Sequence, residues 1–217
     1  VDSYIAKGYL KEALINFVAL LGWHPSDDRE LFTLDELCNA FSLERVNKAG
    51  AIFDLTKLDW MNGQYLHSLP VEDIAMRCKH LFLEKGYDLS DENKYQLAIA
   101  VARERCTLLN EIVDYCKMFY QPEELKNDDI KTLLAPEAQK VLAWFATNLP
   151  ILSAWDTESI QNLVNSGIAE LGIKGKKFYT PLRLALIHQQ HGPELPSTFI
   201  ILGKEESIKR LQQYLPS

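Results

Sequence analysis

Residues 174–191 gather Lys174, Lys176, Lys177, Arg183, His188 and His191, and Gly192-Pro193-Glu194-Leu195 follows directly. Cations so bunched can neutralise phosphates, and a guanidinium offers planar paired donors to a base edge. A lysine-rich loop after a helix is also what an ordinary solvated surface looks like. Arg105, in Arg105-Cys106-Thr107-Leu108-Leu109-Asn110-Glu111, reads from its neighbours alone as a plain surface pair with Glu104 or Glu111. Covalent and metal chemistry find no support. Cys38, Cys78, Cys106 and Cys116 form no C-x-x-C pair and none stands with His at zinc-finger spacing. No Ser-His-Asp, Cys-His or paired-carboxylate arrangement stands out. Gly172-Ile173-Lys174-Gly175-Lys176-Lys177 lacks the phosphate-loop spacing and follows a helix rather than a strand. The chain offers recognition chemistry and no transplantable active site.

The elements that must position these groups read as helices throughout. Leu10, Ala13, Leu14, Phe17, Val18 and Leu21 form one apolar face, stopped by Gly22. Thr33-Leu34-Asp35-Glu36 is a capping box for a helix to about Ala40. Asp54 caps a helix towards Ser68, and Pro70 opens another that Gly86 closes. Ser90 caps a long segment to about Leu109, followed by Glu111–Phe119. Pro136 opens a helix, and Asp156 or Thr157 caps one ending at Gly172. Thr180-Pro181 reads as a cap plus first-turn proline, which places Arg183 in a first turn and ends that helix at Gly192. The last helix spans roughly Lys204 to Tyr214. Phe199–Leu202 is the best strand-like stretch, and it is short. The fold class is all-α, with breaks at Leu69-Pro70 and across 121–130 and no internal repeat.

Hydrophobic residues at 47% and charged residues at 24% are ordinary for a globular chain, and no apolar run is long enough to cross a bilayer. Cysteines on apolar helix faces suit a reducing cytoplasm. The net charge of −7 argues at first against a nucleic-acid partner. Its distribution is uneven: residues 131–217 hold 9 Lys+Arg against 7 Asp+Glu. Screening limits distant charges to about a Debye length, so a local basic face can still hold RNA. Trp23, Trp60 and Trp144 fall at helical spacing and read as core, whereas Trp155 and Phe178, flanked by polar residues, are the stacking candidates.

One string says more than amphipathicity requires. Residues 48–66, with Phe53-Asp54-Leu55 and Lys57-Leu58-Asp59-Trp60-Met61-Asn62-Gly63, resemble the segment after the active site of bacterial-type glutamyl-tRNA synthetases. Gly8-Tyr9-Leu10-Lys11-Glu12-Ala13-Leu14 and Leu20-Leu21-Gly22-Trp23 resemble the stretch after that family's second ATP signature. Arg105–Glu111, Pro181-Leu182-Arg183-Leu184-Ala185-Leu186 and Leu202-Gly203-Lys204-Glu205 resemble its anticodon-binding part. The resemblance covers essentially the whole chain, yet neither ATP signature occurs in it. Val1-Asp2-Ser3 also lacks an initiator Met, so the chain reads as a fragment that should not activate glutamate.

The resemblance implies a stem-contact region over 1–69, truncated at its start, and an anticodon-binding region over 70–217 that can divide near 121–130. It implies anticodon reading by Arg105, Arg183, Gly192, Pro193 and Leu195. Around Arg105 the family's Thr and Leu sit one place later, so the register is open by one residue. Lys174, Lys176, Lys177 and Lys57 would meet the tRNA backbone. The implied partners are glutamate tRNA and a catalytic domain in cis, with ATP and Mg belonging to the whole enzyme and no cofactor or metal in this part. A cytoplasmic monomer without DNA or membrane partners follows from the same resemblance. Two other readings stay open: a helical protein-interaction module without RNA, and a synthetase serving both glutamate and glutamine tRNAs.

Overall fold

The computed structural model describes residues 2–47, 50 and 52–216; Lys48, Ala49 and Ala51, at the head of the family-like string, lie outside them. Among the described residues the regular elements are thirteen α-helices and one 3-10 turn, with an isolated antiparallel bridge between Trp23 and Val46. The all-α expectation holds. Two compact units emerge, one of residues 1–85 with 102–115, the other of 86–101 with 116–217.

The first unit begins with α1 (Asp2–Ala6), α2 (Lys11–Gly22), α3 (Leu34–Ala40), α4 (Leu55–Ser68) and α5 (Val71–Glu84). Local signals fix several ends. Thr33 accepts the Glu36 amide while Glu36 accepts the Thr33 amide, closing the expected capping box. Asp54 accepts the Lys57 amide and caps α4. Two buried asparagines then tie helices to loops. Asn16 on α2 accepts the Phe32 N–H at 2.8 Å and donates to the Glu30 carbonyl at 2.9 Å. The Tyr65 hydroxyl lies 2.7 Å from the Asn16 oxygen. Asn62 on α4 accepts the Leu10 N–H at 2.8 Å and donates to the Thr107 carbonyl. Arg77 on α5 makes a bidentate pair with Glu12 on α2, which holds the Glu12 carboxyl below its ordinary range. These bonds satisfy backbone groups that apolar packing alone would strand.

The chain continues through α6 (Glu92–Arg103) and α7 (Leu109–Tyr120), each shared between the two units, to α8 (Asn127–Leu134), α9 (Pro136–Asn148), α10 (Thr157–Leu171), α11 (Lys176–Ile187), α12 (Leu195–Leu202) and α13 (Lys204–Gln212). Asp156 caps α10 through the Ser159 amide, which holds its carboxyl low, and Gly172 ends the helix at a left-handed φ of 65°. In the second unit Phe145 on α9 stacks on Phe199 and meets Phe178 edge-on, both at 5.8 Å. Arg210 on α13 is buried and donates to the carbonyls of Met118, Phe119 and Leu186. These lie in the last turns of α7 and α11, where helix carbonyls have no partner of their own. One guanidinium thus closes two helix ends.

Four expectations need correction. The Ser90 cap is Asp91, which accepts the Lys94 amide, and α6 stops at Arg103 because a turn over 104–108 intervenes. The strand-like Phe199–Leu202 lies inside α12, a helix so buried that it shows no polar face. Helix α11 starts at Lys176 with Pro181 inside it, and ends at His188 rather than Gly192. Cys38 is exposed, whereas burial pushes the thiols of Cys78 and Cys106 up to about 12.

Candidate nucleic-acid interface

In the first unit, Arg105 stands exposed in the turn between α6 and α7, not on a helix. Its backbone N–H bonds the Ala102 carbonyl at 2.9 Å, and the Glu111 carboxylate accepts the Thr107 and Leu108 amides. Glu111 therefore shapes the turn by holding its backbone. Lys57, in the first turn of α4, is half-buried and paired with Glu30 at 2.5 Å, so a phosphate there would compete with a carboxylate. Trp60 is 44% exposed on α4 rather than in the core, a correction that leaves its ring available at the surface. Trp23 is buried as expected, and Trp144 is half-buried with its indole N–H on Glu170.

In the second unit the expected residues converge on α11. Helix geometry sets positions three and four apart on one face, so Lys176, Thr180, Arg183 and Ile187 share a stripe about 16 Å long. Because α11 begins five residues earlier than the Thr180-Pro181 signal suggests, Arg183 sits mid-helix. Amides of a helix start do not surround it, and the dipole argument for an anion there falls away. Its guanidinium lies 5.6 Å from the Tyr179 ring, one turn earlier. Its Nε is buried with no hydrogen-bond partner.

The loop after α11 closes back on the same stripe. His188 takes a left-handed φ of 56°, with Nδ1 2.6 Å from the Glu123 carbonyl and Nε2 3.0 Å from the Tyr214 hydroxyl. Both ring nitrogens are engaged, so His188 is a structural joint rather than a phosphate contact. Gly192 returns against the end of the helix, where a Cβ would stand 2.6 Å from Ile187 Cδ1. Ile187 is one turn from Arg183, so Arg183 and the Gly192 loop come together. Pro193 and Leu195 are buried and anchor the loop; only their backbone groups could address a base. Lys174, Lys176 and Lys177 are exposed, with Lys177 on Glu137 at 2.9 Å.

Gly192 follows the chain without a positive φ, so its need is space rather than backbone freedom. Gly192→Ala is expected to cost about 1–2 kcal/mol in urea unfolding by overpacking Ile187. Adding Ile187→Val, which removes the clashing methyl, should recover most of that loss; no recovery would mean another neighbour sets the limit.

Phe178 is fully buried among Phe145 and Tyr179, so it does not stack on bases. Trp155 is half-buried and meets Phe199 nearly at right angles, 6.3 Å between ring centres. Gln190 escaped the sequence reading: it donates to Asp129 at 2.8 Å and stands beside Lys176 and Lys177. A polar pair between a basic run and a Gly-Pro turn was the available signal. Among the described residues, no group of three or more His, Cys, Asp or Glu could hold a metal ion.

The sequence model described as "Anticodon binding domain" matches residues 71–215, and that of "tRNA synthetases class I (E and Q), catalytic domain" matches residues 1–60. The chain is 39% identical over 217 residues to the glutamate–tRNA ligase of Carboxydothermus hydrogenoformans, covering 97% of this chain and 45% of that protein. It is 39% identical over 223 residues to the one from Halalkalibacterium halodurans, covering 99% and 46%. The chain thus spans less than half the length of these relatives. A crystal structure of a glutamate tRNA ligase from Elizabethkingia meningosepticum in complex with its amino acid superposes with a TM-score of 0.86 at 33% identity, over 97% of this chain and 42% of that one. The glutamate-tRNA synthetase of Elizabethkingia anophelis gives 0.80 at 32% identity, over 98% and 42%.

Proposed function

The chain belongs to the anticodon binding domain family, and we propose that it is the tRNA-recognition part of a glutamate–tRNA ligase, holding glutamate tRNA by its inner stem and reading its anticodon. The observation that carries this reading is the stripe on α11. Lys176 lies at one end, Arg183 in the middle, and Ile187 with the Gly192 turn at the other. Residues 1–69 are assigned to stem contact and 70–217 to anticodon binding. Within these, Arg105 and Arg183 present guanidinium forks to splayed bases, whose edges carry the acceptors that such forks pair with. Backbone groups of Gly192, Pro193 and Leu195 address a further base. Lys174, Lys176 and Lys177, and more weakly Lys57, meet phosphates. The work assigned to this chain is to place the acceptor end of the tRNA. ATP and Mg are assigned to the rest of the longer enzyme, joined in cis and monomeric in the cytoplasm.

The lysines should separate from the arginines in a salt series. Each of Lys174→Ala, Lys176→Ala and Lys177→Ala is expected to weaken binding alike for every anticodon, and to lower the salt slope by about 0.7–0.9 per lost phosphate contact. Filter or fluorescence binding of glutamate tRNA from 50 to 200 mM salt (roughly the range where such slopes are read) checks this. A salt-independent affinity, or none for tRNA at all, would favour a protein-interaction module instead.

A further inference from the structure

We infer that the cleft of about 290 Å³ between α9 and the start of α11 receives the base of a nucleotide flanking the anticodon, a second base-binding site beside the one assigned to Arg183. The inference rests on the tRNA-binding reading above and adds a recognition element to it. Ala138 and Pro181, both buried, and half-buried Ala135 give the cleft a small apolar interior. Its volume is enough to admit a flat aromatic ring against these small side chains. Its rim is polar: exposed Gln190, Lys176 and the Lys177–Glu137 pair stand there beside half-buried Thr180. An apolar slot with amide and hydroxyl groups at its edge is the environment an unstacked base needs, and the Lys176 ammonium suits its phosphate.

Continuity decides the occupant. Lys176 and Thr180 lie on the same stripe of α11 as Arg183, Thr180 less than one turn before it. A single strand laid along that stripe with one base at Arg183 carries its neighbour past the cleft. Gln190 closes the arrangement from the other side, because it belongs to the loop that ends in Gly192 and its amide is oriented by Asp129 at 2.8 Å. With one amide hydrogen fixed on Asp129, the Gln190 carbonyl and second N–H are left to meet a base edge.

The test uses the whole chain with a glutamate-tRNA anticodon stem-loop and its two abasic versions, one lacking the base before the anticodon and one the base after it. Ala135→Leu, at the extended residue ahead of α9, fills the slot and is expected to weaken binding about tenfold. One of the two abasic loops should lose a similar amount on the unaltered chain and nothing further on Ala135→Leu, since both changes remove one interaction. Gln190→Ala, on an exposed loop, should lose about threefold and show the same non-additivity, which guards against a packing defect in the first variant. Tight binding of the intact loop by both variants, or abasic losses that persist on them, would overturn the second site while leaving the anticodon reading in place. No binding of any loop by the unaltered chain would overturn both.

Discussion

Arg210→Leu should lower the stability of the chain by about 3–5 kcal/mol, enough to consume much of a normal domain's margin. The arginine is only 8% exposed and donates to three carbonyls, at 3.3 Å to Met118, 3.1 Å to Phe119 and 2.5 Å to Leu186. Leucine would fill comparable space but leave those acceptors, and the Glu206 carboxylate that now pairs with Nε at 2.8 Å, without their donor. Arg210→Lys should fall in between, because one ammonium cannot reach carbonyls on two helices with the spread of a planar fork. Urea unfolding of the three proteins reads this directly. A loss below about 1 kcal/mol for Arg210→Leu would mean that water replaces the guanidinium, and that the two helix ends do not depend on it.

Asn62→Leu is expected to cost about 2–4 kcal/mol, since it leaves a buried N–H and a carbonyl unpaired and puts bulkier methyl groups in place of the amide. Asn62 is fully buried, and its amide joins Leu10, at the entry to α2, to Thr107, beside Arg105. The loss should therefore be accompanied by faster amide exchange at Leu10, whose N–H it accepts. Asn62→Asp keeps an acceptor for Leu10 but loses the donor to Thr107 and introduces a charge, so it should be no milder near neutral pH. Unchanged stability in Asn62→Leu would show that the backbone groups find other partners.

Both residues show where a sequence stops speaking. Asn62 sits in a string legible as a helix with an Asp54 cap, but its partners lie 52 and 45 residues away. Arg210 looks like any cation in a final helix turn, and its partners are 91, 92 and 24 residues distant. Local chemistry was readable: the Thr33 capping box, the Asp54 and Asp156 caps and the left-handed Gly172 all stand where their residue types require. Signals that two structures share were not. Pro181 reads as a first-turn proline, but Gly175 at φ 63° lets the helix begin at Lys176, and the proline then costs one interior hydrogen bond. Helix α12 presents Phe199-Ile200-Ile201-Leu202 as a continuous apolar run, and such a run has no period to identify it. Helix α8 hides in the polar stretch after Gln121, since eight residues give little room for a pattern.

The candidate site divides in the same way. Arg105, Arg183 and the Gly192 turn are visible from their flanking residues. Their surroundings are not: the turn under Arg105, the Tyr179 ring near Arg183 and the contact of Gly192 with Ile187 all depend on the fold. Gln190 gains meaning only from Asp129, 61 residues earlier.

The most direct measurement of anticodon reading is a cycle between Arg183 and the base it contacts, repeated for Arg105. Glutamate tRNA and versions with each anticodon base substituted are titrated with the unaltered chain, Arg183→Gln and Arg105→Gln. Each arginine variant should lose about 1–3 kcal/mol against the unaltered tRNA. That loss should shrink sharply for one substituted position only, a different position for each arginine, because variant and base change then remove the same contact. Losses at Arg183 and Arg105 that stay equal across every anticodon would place both on the backbone alone, and no loss at either, with the fold intact, would contradict anticodon reading by this chain.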